Sequence, residues 1–433
     1  MGLLIQPIPR YRPDIPVYAI LQGLLKTCFL RNARGECVKT FERAFAEKMG
    51  SRHAVALSSV RFGLYSVIES LGLSRDSEIL CTPLTIYSII PTLIQAGLRP
   101  IFVDITQRGF SMDMEDAARK LTPRTKAILV THLWGMASDI SRIAGFAREH
   151  GLILLEDASQ CLNGEIGSKK TGTIGTAGFF SFSMTKTINT YHGAIMVTDD
   201  SRLAKDLSSK VSRLAPCGRT RLLRALLAEL ALWTFTRPIP FSLIFGPLQG
   251  FLQRLGVKDY LDNRNVSCSP QLGAFPSALE TSFTDIQAEP GLMMLETLDA
   301  FDCRRRRIAD IYFKMLRGLP DLQLPERVPG STNNFWMFTV CVPERRKLKE
   351  FLWRRKKIDC TISSVDPCHE MPIFGELRAS LPMASQFAQR ALYLPAYLGM
   401  VDEEVRRVAR SVIDFFKRQD GTSQTLKDDL THV

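Results

Sequence analysis

The run Leu152-Ile153-Leu154-Leu155-Glu156-Asp157-Ala158-Ser159-Gln160, followed by Gly178-Phe179-Phe180-Ser181-Phe182-Ser183-Met184-Thr185-Lys186, decides how this chain reads. Each stretch is short and apolar and then turns polar, the pattern of a buried strand whose carboxyl end opens into a loop. An acid closes the first strand, and a lysine follows the second. That pair suits one chemistry. A lysine amine condenses with an aldehyde, and a carboxylate holds a pyridine nitrogen in its protonated, electron-withdrawing form. Together they describe a pyridoxal phosphate site, with Lys186 as covalent anchor and Asp157 as partner of the ring nitrogen. Plainer roles exist for both: a surface lysine at a strand end, and a turn or helix-capping aspartate.

Working outward, similar apolar runs alternate with helix-like stretches from Ala54 to Thr198. Strands are predicted at Ala54–Leu57, Glu78–Cys81, Pro100–Val103, Ala127–Val130, Leu152–Leu155, Gly178–Phe182 and Ala194–Val197. Alternation of this kind marks parallel βαβ units. Ligands in such sheets bind beyond the carboxyl ends of the strands, where Pro83, Asp157 and Lys186 can converge. Ile140–His150 reads as a helix, with Ser138-Asp139 to cap its start and Gly151 to stop it. Ala288–Phe301 reads as a long helix leading to a second region. There a strand is expected at Trp336–Val342, a helix near Leu348–Arg355, and a last helix at Asp402–Lys417. The fold class expected is α/β: a large domain, residues 1–290, with a mostly parallel seven-stranded sheet between helices. A smaller α+β domain follows over 291–420, with a flexible tail at 421–433.

The chain has 433 residues, 45% apolar and 23% charged, enough for two domains with substantial cores. Its ten cysteines show no Cys-x-x-Cys spacing. That argues against structural zinc, so no metal is expected, and it fits a reducing, cytoplasmic setting. The first residues lack a basic stretch followed by an apolar core, so no secretory signal is expected. Gln6 stands where a myristoylation signal wants Ser or Thr. The net charge of +12 is uneven: residues 201–260 hold ten Lys or Arg against three Asp or Glu. No module interleaves basic and aromatic residues, so nucleic acid is not the expected partner. Phosphorylated substrates or a membrane surface fit better.

The ordered motifs resemble one family, the sugar aminotransferases of the DegT/DnrJ/StrS group, which are fold-type I pyridoxal phosphate enzymes. Glu156-Asp157-Ala158-Ser159-Gln160 resembles its E-D-A-A-Q, and Gly172 to Phe182 its G-x-x-G-D-A-G-x-F-S-F. Ser58-Ser59-Val60-Arg61-Phe62-Gly63-Leu64 resembles its phosphate loop, S-S-G-T-x-A-L. His132-Leu133-Trp134-Gly135 resembles V-H-L-Y-G. Ile286-Gln287-Ala288 with Arg304–Ala309 resembles the hinge, and Leu392-Tyr393-Leu394-Pro395 with Asp402–Val405 the last motif. The resemblance runs from about Pro9 to Phe416.

The resemblance implies roles residue by residue. Lys186 would anchor the cofactor and then move a proton between substrate and cofactor carbons. Gln160 would contact the ring hydroxyl, and Tyr87 would stack on the ring, although a core tyrosine is equally ordinary. Ser181 would contact the phosphate, together with Ser59, Val60 and Arg61 at a helix start whose N–H groups favour anions. Three departures stand out. The family's Gly-Thr is Val60-Arg61, its G-E-G-G is Tyr191-His192-Gly193-Ala194, and its N-Y-R, which reaches the partner subunit's phosphate site, is Glu280-Thr281-Ser282. His192 either reaches substrate or packs. His369 lies where relatives meet substrate. The run Arg304–Arg307 is either a phosphate clamp or a solvated helix face.

The function implied is transfer of an amino group from an amino acid such as glutamate to a keto sugar, nucleotide-linked, in cell-surface polysaccharide or glycolipid synthesis. A homodimer with shared sites is implied too. Two rivals are a sugar dehydratase, which in this family replaces the lysine, and a non-catalytic cofactor-binding regulator or scaffold. Residues 219–257 differ from the rest. They are rich in Leu, Phe and Trp and flanked by arginines, but Glu229, Arg237 and three prolines preclude a spanning helix. Two readings are open: peripheral contact with the inner face of a membrane, or a lid buried against the large domain.

Overall fold

The computed structural model describes residues 6–30, 32–107, 109–248, 251, 273–362 and 365–429. Its first ten strands are β1 (His53–Leu57), β2 (Glu78–Cys81), β3 (Leu84–Thr85), β4 (Arg99–Phe102), β5 (Thr125–Thr131), β6 (Ile153–Asp157), β7 (Glu165–Ile166), β8 (Lys169–Lys170), β9 (Ala177–Ser181) and β10 (Ala194–Thr198). Seven of them form the central sheet, in the order β1-β10-β9-β6-β5-β2-β4. These are the seven strands expected from sequence, with ends shifted by two residues at most. Neighbours are parallel except at β10, which runs antiparallel to both β1 and β9. Strands covered on both faces read as continuous apolar runs, and β2, β6 and β10 are buried along nearly their whole length.

The covering helices include α1 (Val17–Phe29), α2 (Glu36–Met49), α3 (Val60–Ser70), α4 (Ile89–Gln95), α5 (Met114–Lys120), α6 (Ile140–Glu149), α7 (Ser201–Ser212) and α8 (Arg219–Phe235). Their ends follow from capping chemistry. Asp139 caps α6 by accepting from the Arg142 N–H, and Asp200 caps α7 through the N–H groups of Arg202 and Leu203.

The helix expected at Ala288–Phe301 is two helices, Asp285–Glu296 and Leu298–Leu316, meeting at Thr297. The first starts earlier than expected because Thr284 and Gln287 form a capping box, the Thr-x-x-Gln pairing of side chains with backbone N–H groups. Beyond them, β11 (Ser331–Thr332), β12 (Phe338–Cys341), β13 (Thr361–Ile362), β14 (Asp366–Pro367) and β15 (Ala391–Leu394) follow. A second sheet has the order β12-β15-β13 and is antiparallel. Helices Arg345–Lys356 and Asp402–Asp429 accompany it; the latter runs on past Lys417, where its end was expected. One apolar cluster continues from Val55 and Leu129 of the central sheet to Phe338 and Leu392 of the second.

The arginine run does not form a clamp. Arg304 and Arg307 both bind Asp402, and Arg305 is buried against Asp14 at 2.8 Å. Nor is it simply a solvated face. An i, i+3 spacing put two of the four toward the start of the last helix and turned Arg305 inward.

Candidate active site

The site is built at the carboxyl ends of β6 and β9. Asp157 is the last residue of β6, in register with Thr131 of β5 and Phe179 of β9. It is buried; its Oδ1 accepts from the Ser159 N–H at 3.0 Å, and its Oδ2 takes no hydrogen bond from any described residue. Lys186 lies in the loop after β9 and is buried as well. Burial pushes its amine down from the ordinary 10.5 to about 8, against the opposing attraction of Asp157. Loss of solvation favours the neutral amine, and the neutral amine is the nucleophile.

That loop is held on several sides. The Lys186 N–H donates to the Ser183 carbonyl at 2.9 Å, and the Asn189 side chain donates to the Met184 carbonyl. From the N-terminal segment, the Tyr11 hydroxyl donates to the same Met184 carbonyl at 2.8 Å. From the C-terminal half, Trp336 Nε1 donates to the Thr185 carbonyl at 2.6 Å, while its ring centre lies 4.0 Å from Lys186 Nζ. Trp336 is delivered by the turn before it. The N–H groups of Asn334 and Phe335 donate to the Gly135 carbonyl, and that of Met337 to the Trp134 carbonyl. Gly135 has φ +84°, and a Cβ there would stand 2.1 Å from the Trp336 nitrogen, so glycine is required by both conformation and space.

The acid next to Asp157 has a different task. Glu156 is fully buried and accepts from the N–H groups of Gly172, Ile174 and Gly175, at 2.8, 2.7 and 2.6 Å. His132 Nε2 lies 3.1 Å from the same carboxylate, and its Nδ1 accepts from the Ser138 N–H, which assigns the proton to Nε2. Of the two acids, Glu156 thus ties β6 to the strand-entry loop while Asp157 keeps one oxygen unshared. Gln160 uses its carboxamide oxygen to accept from the Trp134 N–H at 3.1 Å, which leaves its NH2 end as the donor.

Ser59 is the N-cap of α3, its side chain accepting from the Phe62 N–H, and Val60 and Arg61 form the first turn. The first N–H groups of a helix have no partner inside it and favour anions. Ser181 ends β9, with its hydroxyl 3.5 Å from that of Ser183. Tyr87 is half-buried in the turn before α4, two residues after β3. Glu280 follows Leu279, whose carbonyl accepts the Ser58 hydroxyl, so the acid stands beside this chain's own phosphate-loop segment.

The two histidines have partners of their own. His192 Nε2 is 3.0 Å from Cys217 Sγ, and its carbonyl accepts from Gln287. Burial, with Arg221 nearby, drives it down to about 4, so it is neutral at physiological pH. His369 follows β14, which pairs with β3, but its Nε2 is 3.0 Å from Ser385 Oγ. Asp157 is the charge that acts on Lys186, and neither histidine does. Trp336, Tyr11 and Glu156 were missed as site-forming residues. The signal for Trp336 was Asn333-Asn334 just before a strand-like run, a pair of polar residues that are both buried here.

The residues present fit pyridoxal phosphate: a buried amine that loses its proton far more readily than an ordinary lysine, a buried carboxylate with an unshared oxygen, and a capped helix start.

The DegT/DnrJ/EryC1/StrS aminotransferase family model matches residues 19–226 and 251–413. The chain is 24% identical over 395 residues to the GDP-perosamine synthase of Vibrio cholerae, covering 89% of this chain and 92% of that one. It is 27% identical over 398 residues to the spore coat polysaccharide biosynthesis protein SpsC of Bacillus subtilis, covering 90% and 92%. Among solved structures, DesI in the presence of its TDP-sugar product superposes with a TM-score of 0.70 at 26% identity, over 98% of this chain and 96% of that one. Helicobacter pylori PseC, an aminotransferase of pseudoaminic acid biosynthesis, shares the fold with a TM-score of 0.74 at 19% identity, over 95% and 100%.

Proposed function

The chain belongs to the DegT/DnrJ/EryC1/StrS aminotransferase family, and from that premise we propose that it transfers an amino group from an amino acid such as glutamate to a nucleotide-linked keto sugar. The observation that carries the reading is Lys186: a buried amine lowered to about 8, beside a buried carboxylate, at the carboxyl edge of a parallel sheet. A GDP-perosamine synthase and a TDP-sugar aminotransferase structure among the relatives support the sugar and its carrier.

We assign the following roles. When bound, pyridoxal phosphate supplies the electron sink that lets nitrogen leave one carbon and join another. Lys186 would hold the cofactor, and its Nζ would carry a proton during transfer. Asp157 would accept the hydrogen of the ring nitrogen, and Gln160 would donate from its NH2 end to the ring hydroxyl. Tyr87 gives a flat apolar face. Ser59, Val60 and Arg61 at the start of α3, with Ser181 at the end of β9, would hold the phosphate, and Arg61 would offer a positive charge where the family has a hydroxyl. Trp336 excludes water from the amine. His192 and His369 are packing residues in our reading, not substrate ligands.

The residues from the N-terminus to about 290 act as the cofactor domain and the rest as the smaller domain. We further propose a homodimer working in the cytoplasm, the setting suited to the nine described cysteines, all free thiols. The retained lysine favours transamination over the dehydratase alternative. Incubation of the cofactor-loaded protein with glutamate and a panel of nucleotide-linked 4-keto sugars tests the reading. Formation of 2-oxoglutarate dependent on one keto sugar is expected; glutamate turnover with none of them, and dehydration of any, would overturn it.

A further inference from the structure

The family match breaks between residues 226 and 251, and the structure shows what fills the break. Helix α8 runs antiparallel along α1. A Cβ on Gly23 would stand 2.8 Å from Leu226 Cδ2, and Arg219 donates to the Leu30 carbonyl. The inward face of α8 carries Leu222, Leu226 and Glu229, all buried. Phe241 is buried as well, and Gly246 packs near Trp353. Arg12 donates to the Thr236 carbonyl at 2.9 Å, and Arg237 lies over the Trp233 ring at 3.9 Å. The segment is therefore fixed to the body of the protein on one side, as the lid reading expects.

The other side is apolar and faces water. Leu227, Phe235, Ile239, Leu243, Ile244, Leu248 and Phe251 are exposed, Ile239 at 72% and Leu243 at 73%. From Ala225 to Phe251 the sequence holds two charged residues, Glu229 and Arg237; the first is buried and the second half-buried over Trp233. Neighbouring α1 extends the surface. Tyr18, Leu21, Leu25 and Phe29 are exposed at helical spacing, followed by Leu30. A soluble helix normally places charge on such a face, and contiguous exposed apolar surface of this kind marks an interaction site.

Charge selects the partner. Arg219, Arg221 and Arg224 border the face at the start of α8. Two of them donate to backbone carbonyls, Leu30 and Ala278, and none of the three meets a carboxylate among the described residues. Arg254 and Lys258 follow the segment in sequence. The same face of a second copy offers that positive fringe no carboxylate: α1 holds no acid, and the one acid from residue 219 to 251, Glu229, is buried. An anionic surface would neutralise the fringe while the apolar side chains enter the acyl boundary. No helix among the described residues is long and apolar enough to cross a membrane, which fits a contact lying in the interfacial plane.

We propose that the exposed face of α1, α8 and residues 238–248, with Phe251, docks this protein on an anionic lipid surface. The full-length protein would be sedimented with vesicles of equal parts phosphatidylglycerol and phosphatidylcholine, and with phosphatidylcholine alone. The protein should pellet with the mixed vesicles at low salt, little with the neutral ones, and should be released by high salt. The double variant Leu243→Asp/Ile244→Asp should bind about a hundredfold more weakly, because each aliphatic side chain kept out of the apolar phase costs roughly tenfold or more. Both positions are exposed, so its sedimentation in vesicle-free buffer and its turnover should be unchanged. Arg224→Glu should weaken binding to anionic vesicles alone. Failure of the parent protein to pellet at low salt, or equal binding by the double variant, overturns the proposal. A double variant that falls apart into smaller particles overturns it too, and assigns the face to a second copy of the chain.

Discussion

The indole of Trp336 covers Lys186: the amine nitrogen stands 4.0 Å from the ring centre, while the indole N–H holds the carbonyl of Thr185, one residue before the lysine. The two residues are 150 positions apart in sequence and belong to different halves of the chain. Their contact joins the C-terminal half to the chemistry of the sheet edge. It sets the lysine loop and keeps water from the amine.

Trp336→Ala should therefore change the pH dependence of cofactor capture. Two effects oppose each other. Opening the site to water relieves the desolvation that drives the amine from 10.5 down to about 8, a cost on the charged form of about 3 kcal/mol. Removing the ring also removes a cation–π attraction of about 0.5–2 kcal/mol, which favours the charged form. The first is larger, so the amine should titrate higher in the variant. In the parent protein, capture of pyridoxal phosphate by stripped protein should rise with pH through about 8, because the amine reacts only after losing its proton. The midpoint should move up by roughly one unit in Trp336→Ala. A downward shift would show that the ring acts mainly through its attraction for the cation.

Asp157→Asn should leave the fold intact and lower turnover by about 100-fold or more, the usual effect of removing a preorganised electrostatic partner. The amide fills the same space and can still accept from the Ser159 N–H, but it carries no charge for a protonated ring nitrogen. Near-parental turnover with bound cofactor would remove Asp157 from its assigned role.

Glu156→Gln separates structure from chemistry at adjacent residues. The carboxylate receives three backbone N–H groups and His132. A carboxamide would turn an NH2 group toward some of those donors, at a cost of about 2–4 kcal/mol. Urea unfolding should shift to clearly lower concentration, while the pH midpoint of cofactor capture stays with that of the parent.

The homodimer should appear in sedimentation velocity at micromolar concentration as a particle of twice the 48.7 kDa chain mass. A monomer there would remove the shared-site part of the reading, and Glu280, beside the chain's own Ser58 segment, would be the first residue to examine.

The sequence was most legible where one physical signal dominated. The seven central strands announced themselves as apolar runs because both faces of a parallel sheet are buried. The places of Asp157, at the end of β6, and of Lys186, in the loop after β9, were legible because each apolar run turns polar there. The break at Thr297 was not foreseen: helical periodicity continues across it, and only the Thr284–Gln287 cap fixes the first helix's true start. Trp336 was illegible for another reason. An aromatic residue entering a strand looks like core, and only the pairing of its turn with Gly135 brings it to the lysine. His192 and His369 show the reverse case. Their positions in the motif order suggested substrate, and nothing in the sequence announced that His192 would meet Cys217 or His369 would meet Ser385.

The central claim is that Lys186 is the residue that holds the cofactor. Borohydride reduction of the cofactor-loaded protein, followed by peptide mass spectrometry, tests it most directly. A pyridoxyl phosphate mass on the peptide containing Lys186, absent in Lys186→Ala, is the result expected. A label on another lysine, or no label in protein that retains the cofactor, would contradict the account.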